Sequence, residues 1–193
     1  MNFTSKYPSG DQAEPDWVGQ VLRYWFDEIG GKHWFDASPQ LDAQIRERFS
    51  AVLAQISAGQ VSGLATPRAL LAAVIVLDQF SRNIFRGTAN AYAADPLARQ
   101  LADTAISRGY DLELTPAQRE FLYMPLQHSE DPADQARSVQ LFEKLGDKHS
   151  LKYALAHKSI IDRFGRFPHR NAILGRTSSA EEIASMKEPM GSF

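Results

Sequence analysis

Cysteine is absent from this chain of 193 residues. Its absence excludes disulfide bonds, thiolate nucleophiles, and zinc or iron–sulfur sites built on thiolate ligands. The chain also lacks an excess of charge of one sign, since 21 basic side chains stand against 23 acidic ones. Such a balance gives no overall field to hold nucleic acid or an anionic membrane, so we expect neither as a partner.

Long hydrophobic runs are missing as well. The longest run, Ala69 to Leu77, has nine residues, whereas a membrane-spanning helix needs about 20. The polar residues 1–14 contain no hydrophobic segment of the kind that a secretory signal needs. We therefore expect a cytoplasmic protein with a flexible segment over 1–14, a single domain over 15–185 and a C-terminal tail over 186–193.

A repeated helix-start signal is present. Proline fits the first helical turn, and a preceding Ser, Thr or Asp can accept hydrogen bonds from the free amides there. This signal occurs at Ser38-Pro39, Thr66-Pro67, Asp95-Pro96, Thr115-Pro116 and Asp131-Pro132.

Hydrophobic periodicity agrees with these starts, because apolar residues recur every three or four positions over 15–29 and 41–56. The run after Pro67 is apolar on nearly all sides and indicates a central, buried helix. We predict that Pro125 kinks or ends the fifth helix, and that a last short helix begins at Ser178, which has capping-box spacing to Glu181. The other predicted helices are 96–108, 116–128, 132–145 and 149–164.

The sequence thus predicts an all-α protein of about eight helices. No convincing strand pattern occurs, and the short connections favour antiparallel helical hairpins.

Polar residues lie at the end of the predicted central helix. Asp78, Arg82 and Arg86 follow one another at single-turn spacing, with Asn83 beside them. A charged row on a buried helix must be paired or must line a cavity, because an unpaired buried charge costs several kcal/mol, in order of magnitude. The row is therefore either an internal salt bridge that fixes helix packing or one wall of a site.

Histidines give two further candidates. His128 and Glu130 could move a proton together, although a solvated loop before the next helix explains them equally well. His157 falls on the apolar stripe of its helix, where a hydrogen-bonded core histidine is the simpler interpretation.

The segment after the predicted helix 149–164 is dense in arginine. Arg166, His169, Arg170 and Asn171 lie between Gly165 and a further glycine, in an irregular connection stiffened by proline. Guanidinium groups offer a planar fork of donors that matches carboxylate or phosphate oxygens. The segment therefore favours an anion site, unless its arginines cap helix ends or pair with acids of the chain.

Several separated motifs resemble the uncharacterised bacterial domain-of-unknown-function family 924, and the likeness covers most of residues 17–183. The resemblance implies a tetratricopeptide-like bundle of helical hairpins and implies no particular activity. One departure is the linker 61–65, which lacks the tryptophan usual in the family. The motifs that carry the resemblance are Tyr24-Trp25-Phe26, Trp34-Phe35, 77–83, 121–130 and 164–171.

Three functional hypotheses follow. In the first, the protein is an enzyme or specific binder of a small anion, held by Arg82, Arg166 and Arg170 and oriented by Asn83 and Asn171, while His128 with Glu130 or Asp78 moves a proton. In the second, the helices form an interaction module that grips an acidic peptide. In the third, the polar motifs only specify packing.

The sequence indicates no particular cofactor. His128, Glu130, His157 and Asp78 are suitable ligands for a divalent ion. Because the chain has no helical His-x-x-x-His pair, we predict no metal site.

Overall fold

The structure, a computed structural model, describes residues 14–192. The all-α prediction is confirmed: these residues form helices, turns and loops, with no strand among them. Of the predicted N-terminal segment 1–14, only Glu14 lies within the described residues. No helix formed by residues 14–192 is both long and apolar enough to cross a lipid bilayer.

Two of the predicted helix starts and the first periodic stretch form the first half of the fold. α1 (Asp16–Arg23) continues as a π-helical turn over Tyr24–Ile29. α2 (Pro39–Ser57) begins after Ser38, whose Oγ accepts from Leu41 N. α3 (Pro67–Val74) begins after Thr66, and a π-helical turn (Ile75–Phe80) joins it to α4 (Ser81–Ile84) in one continuous helix.

The second half contains the helices that surround the candidate site. α5 (Asp95–Ser107) and α6 (Pro116–Gln127) come first, and Pro125 lies in the last turn of α6, which ends two residues later. α7 (Pro132–Leu145) lies against both α6 and α8 (Lys148–Phe164). α9 (Ala180–Ser185) is the last. With α3 and α4 counted as one, the described residues form eight helices.

Two predicted helix starts are wrong in detail. Asp95 does not cap α5, because the helix begins at Asp95 itself after Ala94. α9 starts one residue later than predicted, since Ser179 and Glu182, instead of Ser178 and Glu181, form the capping box. Ser178 Oγ accepts from Asn171 Nδ2 at 3.0 Å.

The core is aromatic and is centred on the continuous helix α3–α4. Every side chain from Ala69 to Leu77 is at most 1% exposed, as predicted for a central buried helix. Trp25 places its ring 5.5 Å from that of Phe80 and 5.3 Å from that of Phe121. This packing fixes the helix that carries Asp78 against the helix that leads to His128. The tetratricopeptide-like arrangement of the hairpins stays a prediction.

Candidate functional site

A cavity of about 470 Å³ opens where the end of α4, the face of α6, α8 and the segment after α8 meet. Six of the ten site residues proposed from the sequence line it. They are Arg82, Asn83, Arg86, His128, His169 and Arg170.

Asp78 lies directly behind this wall and orients His128. The Nδ1 of His128 lies 2.8 Å from Oδ1 of Asp78, and the Asp78 side chain is 1% exposed. An ionised carboxylate can only accept, so Nδ1 carries the proton and donates it. In the neutral ring this leaves Nε2 as the acceptor nitrogen of an imidazole on the cavity wall.

Asp78 stays ionised despite its burial. Burial alone would raise the pKa of Asp78, but the charges of Arg82 and His128, together with hydrogen bonds from His128 and Gln79, hold that pKa well below its usual range. Gln79 Nε2 donates to Asp78 Oδ2 at 2.5 Å, while Arg82 Nη1 lies 3.2 Å from Oδ1. Both oxygens of Asp78 therefore have partners, and the carboxylate is fixed in one orientation.

Arg82 bridges two carboxylates. Besides Asp78, it donates from Nη1 and Nη2 to the two oxygens of Asp95, at 3.0 and 3.1 Å. Burial raises the pKa of Asp95 above its ordinary value, although the charge of Arg82 opposes this. Asp95 is a site residue that sequence reasoning missed, because an Asp before Pro has the same pattern as a helix cap.

Arg170 is the least satisfied cation on the wall. Its side chain is 8% exposed, and it lies 4.6 Å from the ring centroids of both Tyr92 and Phe167. Its Nη1 is 3.6 Å from Oδ2 of Asp95, which exceeds hydrogen-bond length. Its buried Nε has no hydrogen-bond partner among the described residues. Burial, and to a smaller extent the charge of Arg82, lower the pKa of Arg170. The charged form of Arg170 is therefore disfavoured in this environment, and a nearby anion would stabilise it.

Asn83 and Arg86 are occupied by Asp42 on another side of the cavity. Arg86 donates from Nε and Nη2 to the Asp42 carboxylate at 2.6 and 2.8 Å, and Asn83 Nδ2 donates to it at 2.8 Å. The hydrogen bonds from Arg86 lower the pKa of Asp42. Burial opposes this effect but is the smaller of the two, so the pKa of Asp42 stays below its ordinary value. These side chains form an internal cluster, and Arg86 has less free capacity for a ligand than Arg170.

Glu130, Arg166 and Asn171 do not line the cavity. Glu130 accepts from the Phe167 backbone N–H at 2.8 Å and from Arg176 at 2.7 and 2.9 Å. Arg166 donates to Glu182 at 2.7 and 3.0 Å, and Asn171 is fully buried. Their partners lie within the segment that carries Arg170 and the chain that follows it.

Two other histidines of the cavity wall, His157 and His169, have pKa values well below the ordinary one, so their rings are neutral near pH 7. Burial, with a smaller contribution from the charge of His128, lowers the pKa of His157 to about 3. Burial and the charge of Arg170 lower the pKa of His169 to about 4. Nδ1 of His157 donates to the Tyr153 carbonyl at 2.9 Å, as expected for a hydrogen-bonded core histidine.

Several lining residues carried no sequence signal of a site. Tyr92, Met124 and Phe142 have the apolar character of ordinary core residues, and His149 lies in none of the polar motifs of the sequence. The described residues contain no group of three or more His, Asp or Glu side chains arranged to hold a metal ion.

The chain has relatives in sequence and in structure. The profile of a family described as "Bacterial protein of unknown function (DUF924)" matches residues 21–190. The chain belongs to this family. It is 39% identical to a protein of unknown function from Agrobacterium tumefaciens whose solved structure superposes with a TM-score of 0.85, over 89% of this chain and 97% of that one. No curated protein matches the chain. The family resemblance seen in the sequence is thus confirmed, and the function has to be argued from the cavity.

Proposed function

We propose that the cavity binds a small anionic ligand, a carboxylate or a phosphate, through Arg170. The observation that carries this proposal is the buried guanidinium of Arg170 on the cavity wall. Among residues 14–192, its Nε has no hydrogen-bond partner and the carboxylate recorded beside it, that of Asp95, lies beyond hydrogen-bond length. Leaving a buried donor unpaired costs about 1–3 kcal/mol, and more for a charged group. A ligand carboxylate or phosphate supplies the planar set of acceptors that a guanidinium fork matches.

Arg82 contributes to the field but has less capacity to bind the ligand directly. Its guanidinium already donates to both oxygens of Asp95 and lies against Asp78. Arg86 is likewise paired with Asp42. Arg170 is therefore the cation that should bind the ligand head group directly, while Arg82 contributes positive charge nearby.

The arrangement of His128 supports an enzyme over a passive binder. In its neutral form, the imidazole of His128 presents Nε2 as a general base, which takes a proton from water or from the ligand itself, while Asp78 holds Nδ1. The neighbouring cations stabilise negative charge as it develops on the ligand. General-base chemistry on a bound anion is the reaction class, and hydrolysis is its simplest form.

Calorimetric titration of the wild type and of Arg170→Met with phenyl phosphate and acetate tests the binding step. Methionine keeps an unbranched apolar stem between Tyr92 and Phe167 while removing the charge. We expect the dissociation constant of the ligand that binds to rise roughly thirtyfold or more, as when one partner of a buried charge pair is lost. The matched control is Arg163→Met, which removes an exposed arginine paired with Glu181. Equal weakening in both variants, or wild-type affinity in Arg170→Met, would refute the proposal.

Turnover tests the role of His128 separately. With nitrophenyl phosphate as the hydrolysis probe, His128→Gln should lose roughly a hundredfold or more of any wild-type turnover. Its affinity for the product anion should stay within about threefold, because Arg170 is unchanged. Turnover that survives the substitution would exclude His128 as the base and leave the protein a binder.

A further inference from the structure

The cavity wall changes character along α6. Glu120, Met124, Gln127 and His128 all line it, and their spacing of four, seven and eight residues puts them on one face of the helix. At 1.5 Å per residue, the helix position of Phe121 is about 10 Å from that of His128. The cavity therefore runs along α6 from the Arg170 and His128 end toward Phe121.

The far end is aromatic. The Trp34 ring lies 4.7 Å from the Phe121 ring, and Trp34 is fixed by a hydrogen bond from Nε1 to the Trp25 carbonyl at 2.8 Å. Phe35 lies 6.3 Å from Phe121 in a stacked orientation. Both Trp34 and Phe35 line the cavity, and Phe35 is 68% exposed. The Phe35 ring is thus accessible from the cavity, beside the Trp34 ring, which its hydrogen bond holds in place.

Two carboxylates at the aromatic end of the cavity disfavour a second negative charge on the ligand. Glu120 and Asp36 also line the cavity. Glu120 already accepts from Ser150 at 2.7 Å, and Asp36 interacts with His33 at 2.7 Å. Like charges repel, so a ligand with negative groups at both ends would be disfavoured. One oxygen of each of these carboxylates already has a partner within the chain.

We infer that the ligand is an organic anion with a single carboxylate or phosphate head and an apolar, aromatic body. The head lies at Arg170, and the body extends along α6 past Met124 to Trp34 and Phe35. This inference rests on the proposed function, since Arg170 must hold the head. A cavity of about 470 Å³ lies in the range of about 300–1,000 Å³ typical of sites for organic ligands, well beyond the needs of an inorganic anion.

Four classes of probe separate the parts of the inference. Phenylbutyrate and phenylbutyl phosphate carry a similar aromatic body on the two alternative heads, acetate and inorganic phosphate are heads alone, glycerol phosphate has a polar body, and phenylbutanol has the body without charge. We expect at least one aromatic anion to bind tenfold or more tightly than its head alone and than glycerol phosphate. The tighter of the two aromatic anions identifies the head.

Phe35→Ala locates the body. An aromatic contact contributes about 0.5–1.5 kcal/mol beyond its buried area, so the variant should bind the aromatic anion roughly two- to tenfold more weakly. Its affinity for the isolated head should be unchanged. Because Phe35 is exposed, the substitution should not disturb folding. Leu112→Ala is the matched control, since Leu112 is 70% exposed and does not line the cavity.

The outcomes distinguish this inference from the proposed function. If glycerol phosphate and the heads bind as tightly as the aromatic anions, and Arg170→Met abolishes this binding, the aromatic body is refuted while the anion site stands. Aromatic anions that bind equally well to Phe35→Ala would refute the placement of the body. Phenylbutanol that binds as tightly as phenylbutyrate, or the failure of every probe to bind, would overturn both.

Discussion

Asp78 is the residue on which the site depends most. It fixes the tautomer of His128, lies against Arg82, and accepts from Gln79, while its own side chain is 1% exposed. A buried carboxylate with three partners stabilises the fold only as long as all of its partners remain, because a lone buried charge is far more costly than the pair.

Asp78→Asn should therefore lower the free energy of unfolding by about 3 kcal/mol, since it leaves Arg82 with one counter-charge instead of two. Urea unfolding of the wild type and the variant measures the difference. The control is Glu28→Gln, which breaks an exposed ion pair with Arg48 and should cost less than about 1 kcal/mol. If the two variants lost equal stability, Asp78 would not be a structural part of the buried network.

His157 gives a pH dependence whose sign is fixed by its environment. Burial lowers its pKa to about 3, whereas an unfolded histidine titrates near 6.5. Below pH 6.5 the unfolded chain binds a proton that the native state does not, so stability falls as the pH falls toward 3. Between pH 7 and pH 5 the wild type should lose about 2 kcal/mol more than His157→Gln. Chemical denaturation at both pH values, with the exposed His149→Gln as control, measures this, and equal losses in the wild type and His157→Gln would contradict it.

Residues of the site were predictable one at a time, but the choice between alternative pairings was not. His128 was proposed to act with Glu130 or with Asp78, which lies 50 positions away, and nothing in the local sequence decides between the two. Glu130 follows His128 by two positions and bonds Arg176 instead of lining the cavity. Local spacing indicates a shared face only inside a helix, and Glu130 lies in the loop after α6.

Helices were the best predicted elements because their starts are marked by local chemistry. Ser38, Thr66, Thr115 and Asp131 each accept a backbone N–H in the first turn, as predicted. Asp95 is the exception: Arg82 takes its carboxylate. Tertiary ion pairing overrides capping there, and the same Asp-Pro signal cannot distinguish the two outcomes.

Thr115 caps the helix that carries His128, and its loss should destabilise that helix without changing the cavity. Thr115 Oγ1 accepts from Gln118 N while Gln118 Oε1 accepts from Thr115 N, a reciprocal capping box. Thr115→Ala should cost about 1 kcal/mol of unfolding free energy. Thr104→Ala, at a half-buried position inside α5 that caps no helix, should stay within about 0.5 kcal/mol of the wild type. Thermal unfolding of both variants checks this, and an equal effect would argue against the capping box.

The whole molecule builds its cavity from segments far apart in the chain. The turn at Trp34 and Phe35, the end of α4, the face of α6, and the segment around Arg170 all line it. The last of these has no helix longer than the short 3₁₀ turn Pro168–Arg170. Its position depends on contacts with the rest of the fold, and Glu130 supplies the best defined of them.

Glu130 was proposed from the sequence as a catalytic partner of His128, and its contacts support a different role. It binds the Phe167 backbone N–H and the Arg176 guanidinium across 37 and 46 positions, so it fastens the Arg170 segment to the loop between α6 and α7. Burial alone would raise its pKa, but the hydrogen bond from Arg176 and the one from Phe167 hold the pKa of Glu130 below its ordinary value.

Glu130→Gln should therefore change stability, the exchange of residues 165–176 and ligand affinity together. It leaves Arg176 without its carboxylate and should lower the free energy of unfolding by about 1–3 kcal/mol. Hydrogen exchange should rise over residues 165–176 and stay unchanged in the core of α3, because only the fastened segment is released. Ligand affinity should weaken through the looser placement of Arg170. The paired variant is Glu181→Gln, which removes the exposed carboxylate opposite Arg163 and should change neither exchange nor affinity. Normal stability and exchange in Glu130→Gln, with turnover alone lost, would instead restore Glu130 to the catalytic role.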